Sequence, residues 1–169
     1  LLKPQIIKSL PNVENFLRHC QRKDFRAKSV VLKQGEQSNS LCLILDGSVS
    51  VMVEDESEPG HMLVVAYLNP GDFVGEMGLF DNDSPVRSAM VVAKTQCEVA
   101  EISYERFHQI RNQFPDILYA ISRQISNRLR QNDQLAIDDL RLRASELADA
   151  YQKLAEQELM RREFLSNIA

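Results

Sequence analysis

From residue 116 to residue 169 the chain runs for 54 residues without a glycine or a proline, whereas all six glycines fall between Gly35 and Gly78. Glycine supplies the positive φ angles of tight turns, and proline interrupts helices and central strands alike. Their distribution divides the chain into a turn-rich front and an uninterrupted back. Fully helical, the back would extend about 80 Å at ~1.5 Å of rise per residue. A domain of this size cannot bury a rod of that length along its own surface.

The back has its own pattern. Ile121, Ile125, Leu129, Asn132, Ala136 and Leu140 recur at three- and four-residue steps. Leu140, Leu147 and Leu154 then keep a seven-residue step, with Ala144, Tyr151 and Leu165 on the adjoining seam. This predicts a helix paired with its own copy in a coiled coil, with a stutter near Leu140. Only its first turns are expected to lie on the front domain. Residues 116–169 carry nine acidic and eight basic side chains, which disfavours a helix that grips DNA.

In the front, short β-rich runs at 29–33, 41–45, 49–53, 62–68, 88–92 and 97–102 are separated by turn residues. Asp46-Gly47 marks a tight hairpin, Asn69-Pro70-Gly71-Asp72 a turn, and the acidic stretch 54–60 a hairpin tip. A short helix is expected after Pro11 with Asn12 as its N-cap, and another over 104–112 capped by Ser103. The fold class is mainly β with α: a β-sandwich or jelly roll over residues 1–115, then a long coiled-coil helix over 116–169.

Composition excludes several classes. The net charge of −4 leaves no large basic surface for nucleic acid or acidic lipid. No apolar run is long enough to span a bilayer and no signal-peptide pattern opens the chain, so a cytoplasmic location is expected. Leu1 rather than Met comes first, as expected of a segment trimmed from a longer protein. Cys20, Cys42 and Cys97 are odd in number and lack metal-like spacing, which reads as free thiols. His19, His61 and His108 are scattered. Neither a metal site, a cofactor nor a nucleophile–base pair is expected, so the chain is not read as an enzyme.

The chemistry concentrates in Gly71-Asp72-Phe73-Val74-Gly75-Glu76-Met77-Gly78-Leu79-Phe80, followed after an acidic loop by Arg87-Ser88. Gly75 lets a ligand approach the backbone. A helical turn opening near Glu76 would aim free N–H groups at an anion. Arg87 could fork onto two phosphate oxygens, and Glu76, which would repel phosphate, suits a sugar hydroxyl. The competing reading is a surface ion pair between Glu76 and Arg87 beside an ordinary turn.

This run resembles the phosphate-binding cassette of cyclic-nucleotide-binding domains, particularly the bacterial catabolite activator protein family. The likeness extends to Gln34-Gly35-Glu36, Leu45-Asp46-Gly47-Ser48-Val49, Ala93-Lys94-Thr95 and Cys97 to Tyr104, over roughly residues 14–135. It implies that Gly75, Glu76 and Met77 meet the cyclic phosphate and ribose, with Arg87 and Ser88 on the phosphate. The loop from Asp81 to Val86 is about a residue longer than in the family. By the same resemblance the base would be read at Asn132 and Asp133, where the family usually has hydroxyl side chains. Cyclic AMP is favoured, and cyclic GMP stays open because a carboxylate can accept from two guanine donors. The alternative is that Asn132 fixes the register of a helix pair and Asp133 faces water.

The last residues, Leu159-Met160-Arg161-Arg162-Glu163-Phe164-Leu165-Ser166-Asn167, resemble a second family, the approach to the phosphoacceptor histidine of sensor histidine kinases. Together these features predict a homodimeric cyclic-nucleotide sensor that signals through its helix to an output module, a histidine kinase. Two rivals stand beside it: the regulatory domain of a cyclic-AMP-responsive transcription factor, and a dimerising sandwich that binds no nucleotide.

Overall fold

The computed structural model describes residue 10 and residues 12–55, 57–80 and 85–168. Its elements in chain order are α1 (Val13–Leu17), β1 (Gln21–Phe25), β2 (Val30–Leu32), β3 (Ser40–Asp46), β4 (Val49–Glu54), β5 (Met62–Leu68) and β6 (Phe73–Val74). A 3₁₀ turn (Met77–Leu79), β7 (Met90–Ala93), β8 (Cys97–Ser103), α2 (Tyr104–Ile110), a second 3₁₀ turn (Arg111–Gln113) and α3 (Pro115–Ile168) complete them. The chain forms two compact units, Leu1–Gln124 and Ile125–Ala169.

The strands build two antiparallel four-stranded sheets, ordered β1-β8-β3-β6 and β2-β7-β4-β5. Cys42, Ile44, Val74, Cys97 and Val99 of the first pack into one buried cluster with Val49, Leu68, Val91 and Ala93 of the second. Alternation turns Leu41, Leu43, Ala100 and Ile102 to the opposite face of the first sheet, and these are buried too. Helices must therefore cover that face. Phe16 of α1, Phe107 of α2 and Ile117 and Ile121 of α3 are all at most 1% exposed. Phe16 meets Phe107 and Phe114 edge-to-face, with ring centroids 6.3 and 5.6 Å apart. This makes β3, with six buried residues in succession, the centre of the first unit.

Several local expectations change. Asp46-Gly47 does not close a hairpin: β3 pairs with β6 and β8, β4 with β5 and β7, so the turn carries the chain from one sheet to the other. Gly47 has φ 79°, and a Cβ there would lie 2.2 Å from the Gln96 carbonyl, so only glycine fits the crossing. Asn12 occupies the N-cap position of α1 but with φ 62°, and its side chain makes no capping bond. Its carbonyl alone accepts from the Asn15 and Phe16 N–H groups, at 3.1 and 3.2 Å. Ser103 does cap α2, accepting from the Arg106 N–H at 3.2 Å.

The second unit is one continuous helix. Every side chain described from Leu129 to Phe164 is exposed in the single chain, including Leu140 (66%), Leu147 (58%) and Leu154 (57%). The Leu165 side chain lies outside the described residues. Among the described residues, no helix is long and apolar enough to cross a membrane.

Candidate functional site

The cassette begins at a turn in which the Asp72 N–H reaches the Asn69 carbonyl (3.0 Å) and the Asp72 carboxylate takes the Asn69 N–H (2.8 Å). Gly71, with φ 99°, makes the reversal possible. The chain then enters β6, the edge of the first sheet. An edge strand leaves outward N–H and C=O groups without a strand partner. Here Gln124 of α3 replaces the missing strand: its Oε1 accepts from the Phe73 N–H and its Nε2 donates to the Phe73 carbonyl, both at 2.8 Å.

Two residues on, Gly75 takes φ 76° and Glu76 becomes the N-cap of the 3₁₀ turn, which the Leu79 N–H closes onto the Glu76 carbonyl at 3.1 Å. The helical start anticipated near Glu76 is thus a single tight turn. The Glu76 side chain is 2% exposed. Arg87 arrives from the other side, its backbone pinned to the Gly35 turn. Its N–H donates to the Glu36 carbonyl (2.8 Å) and its carbonyl accepts from the Gly35 N–H (2.9 Å). That gives Gln34-Gly35-Glu36 its role, since Gly35 with φ 83° turns the chain to receive Arg87.

The Arg87 side chain is 7% exposed and runs inward. Its Nη2 donates to Ser40 Oγ at 3.0 Å, and its Nη1 lies 3.4 Å from both the Gly75 carbonyl and the Tyr104 hydroxyl. Ser40 in turn donates to Glu101 Oε1 at 2.8 Å, and Glu101 is also paired with Lys23. Burial would raise the Glu101 carboxyl, but the Lys23 and Ser40 bonds outweigh it and hold the group below its ordinary range. A Cβ on Gly75 would sit 2.3 Å from Arg87 Nη1 and 2.9 Å from the Ser40 carbonyl. Gly75 therefore makes room for the arginine of the chain itself, a constraint additional to any close approach by a ligand.

The structure buries Glu76 and Arg87 beside the half-buried Gly75, so Glu76 and Arg87 are not a surface ion pair. Met77 (58% exposed) and Ser88 lie exposed beside them. Asn132 and Asp133 are exposed residues of the second unit. Residues 81–84, which include most of the longer loop, lie outside the described residues. Sequence reasoning missed Ser40, Tyr104 and Gln124. None stands inside the motif, and only the Ser103 cap placed Tyr104 at a helix start.

Burial pushes the thiols of Cys20 and Cys42 up to about 12 and raises that of Cys97. Cys42 and Cys97 are core groups and Cys20 is half-buried, and all three have little thiolate character at neutral pH. Among the described residues, no group of three or more His, Cys, Asp or Glu is arranged to hold a metal ion.

The comparisons with known proteins fall on this same region. The cAMP-activated global transcriptional regulator CRP of Salmonella typhimurium is 47% identical over 120 residues, which cover 71% of this chain and 56% of that protein. The solved c-di-GMP responsive global regulator CLP of Xanthomonas campestris superposes with a TM-score of 0.67 at 38% identity, over 74% of this chain and 61% of that one. The Thermus thermophilus catabolite activator protein gives a TM-score of 0.64 at 28% identity, over 82% and 60%. The chain thus spans less than two thirds of the length of each. All three are regulators by name and none is a kinase, so the likeness of residues 159–167 to a kinase gains no support from them. A model of the cyclic nucleotide-binding domain matches residues 22–114, more than half of the chain, and the chain belongs to that family, in its likeness to the catabolite activators.

Proposed function

We propose that the chain is the cyclic-AMP-binding regulatory part of a transcription regulator, with the DNA-binding output supplied outside the residues given. The observation that carries the binding half is the buried cluster of Glu76 and Arg87 around the positive-φ Gly75. A guanidinium fixed by neutral acceptors keeps its charge for an anion, and a buried carboxylate beside it suits a sugar hydroxyl. Met77 and Ser88 rim the phosphate side. The names of the relatives favour cyclic AMP and transcription as the output.

Two copies of the chain pair through α3. The exposed row Leu140, Leu147, Leu154 calls for a second helix, because a lone helix with such a stripe leaves apolar surface in water. Ligand shifts the helix pair only through its difference in affinity for two packings. A threefold population change needs a differential of only ~0.7 kcal/mol, which one charge-assisted bond of roughly 1.5–3 kcal/mol can supply. A second reading, a relay through a continuous coiled coil into a histidine kinase, rests on the likeness of residues 159–167 to the approach to a phosphoacceptor histidine.

Calorimetric titration with cyclic AMP, cyclic GMP and cyclic di-GMP tests the binding. Saturable heat with cyclic AMP and a weaker response to the other two is expected; no heat with any of them at millimolar concentration would leave a dimerising sandwich. The output is tested on the full-length protein. A cyclic-AMP-dependent mobility shift of DNA supports the regulator, and phosphate transfer from ATP to a histidine supports the relay.

A further inference from the structure

Tyr104 opens α2 and stands sixteen or more residues from every cassette residue in sequence, yet its hydroxyl is one of the points that fasten the cassette to the rest of the unit. It donates to the Gly75 carbonyl. It also lies 2.5 Å from Ser38 Oγ and 3.4 Å from Arg87 Nη1. A phenol has one proton and two acceptor positions. With the proton committed to Gly75, both Ser38 and Arg87 must donate to the oxygen, and the hydroxyl is saturated. Burial holds its pKa above the ordinary tyrosine range, so the proton stays in place. The surroundings are fitted to the group: a Cβ on Gly78 would lie 2.7 Å from the hydroxyl and 2.6 Å from Ser38 Oγ.

The consequence falls on Arg87. Its Nη1 is held by the Gly75 carbonyl and Tyr104, its Nη2 by Ser40. One Nη1–H is shared between the Gly75 carbonyl and the Tyr104 hydroxyl and one Nη2–H goes to Ser40, which leaves Nε–H and one N–H on each Nη for an anion. The direction in which the guanidinium points is therefore set by Ser40 on β3 and Tyr104 on α2 together with the Gly75 carbonyl. We infer that Tyr104 is a positioning residue for nucleotide binding, orienting Arg87 and the Gly75 carbonyl so that the free edge of the guanidinium meets the phosphate. This rests on the reading of the cassette as a cyclic-nucleotide site.

The test is a double-mutant cycle on cyclic AMP affinity, measured calorimetrically with the wild type, Tyr104→Phe, Arg87→Lys and the double variant. Phenylalanine keeps the ring and removes only the hydroxyl. Tyr104→Phe is expected to weaken cyclic AMP by about fivefold to tenfold, the size of one lost hydrogen bond. In the Arg87→Lys background the same change should weaken it by less than about twofold, because there is no fork left to orient. Equal effects in both backgrounds would mean a merely structural tyrosine and would overturn the inference while leaving the cassette reading intact. A wild type that binds no cyclic AMP overturns both.

The two phosphorothioate diastereomers of cyclic AMP add a readout that stability does not move. Their affinity ratio should shift in Tyr104→Phe in the same direction as in Arg87→Lys, and an unchanged ratio counts against the inference. If Tyr104→Phe fails to fold, Ser40→Ala removes the other anchor of Arg87 and must show the same non-additivity with Arg87→Lys.

Discussion

Gly75 carries two constraints at once. Its φ of 76° is costly for any L side chain, and a Cβ would collide with Arg87 Nη1 and the Ser40 carbonyl. Gly75→Ala should destabilise the protein by about 1–3 kcal/mol, read as a lowered urea midpoint, and should also displace Arg87. Arg87→Ala should weaken cyclic AMP by roughly 10- to 100-fold, from the loss of a charge-assisted contact of about 1.5–3 kcal/mol. Unchanged affinity in that variant would sink the assignment of Arg87 to the phosphate even if the protein bound nucleotide. Burial of the thiols belongs to the same scale. Cys42, pushed up to about 12, should resist alkylation at pH 8 in the folded protein and react readily once unfolded.

Among the elements, β6 and α3 are joined through the Gln124 side chain. The Gln124 carboxamide satisfies both outward backbone groups of Phe73, two residues before Gly75. Gln124→Leu removes two hydrogen bonds from the β6 backbone and should lower stability by about 1–3 kcal/mol. Faster amide hydrogen exchange at Phe73 than at Leu43 would localise that loss to the edge, whereas a uniform change would argue that β6 is held by other contacts. The same scale shows where reading the chain alone stopped. The run Gln21–Phe25 is polar, without apolar alternation, yet it forms β1 at the edge opposite β6. Cross-strand charge pairs hold it, Arg22 with Glu98 at 2.8 Å and Lys23 with Glu101. Phe73–Val74 is too short to carry a period and is a strand only because Cys42 and Leu43 are opposite it. Asp46-Gly47 has the composition of a hairpin turn, and nothing local distinguishes it from a crossing between sheets.

At the scale of the molecule, Lys23, Glu101, Ser40, Arg87, Tyr104 and Ser38 form one polar chain through β1, β8, β3 and α2. Its acid sensitivity follows from Glu101. A carboxyl held below its ordinary value of 4.5 in the folded state contributes stability above that pH and loses it as the pH falls through the lowered folded value. Thermal melts from pH 6 to pH 3 should therefore fall more steeply for the wild type than for Glu101→Gln, and parallel curves would remove Glu101 from the acid response. The long helix makes the other prediction at this scale. Leu147→Lys should turn a concentration-dependent dimer into a monomer in sedimentation experiments, and an unchanged mass would show that the leucine row is not the seam.

The sequence by itself determined the turn-rich β front, the 54-residue helix and the group of residues that makes the cassette, because glycine, proline and apolar spacing act over a few neighbouring positions. Only the tertiary structure decided what holds the cassette. Ser40, Tyr104 and Gln124 lie 35 residues before, 29 after and 49 after Gly75, and no local rule connects a hydroxyl or an amide to a partner so far along the chain. Packing two sheets and their helices on β3 brings them together, and burial then requires each polar group to find a partner.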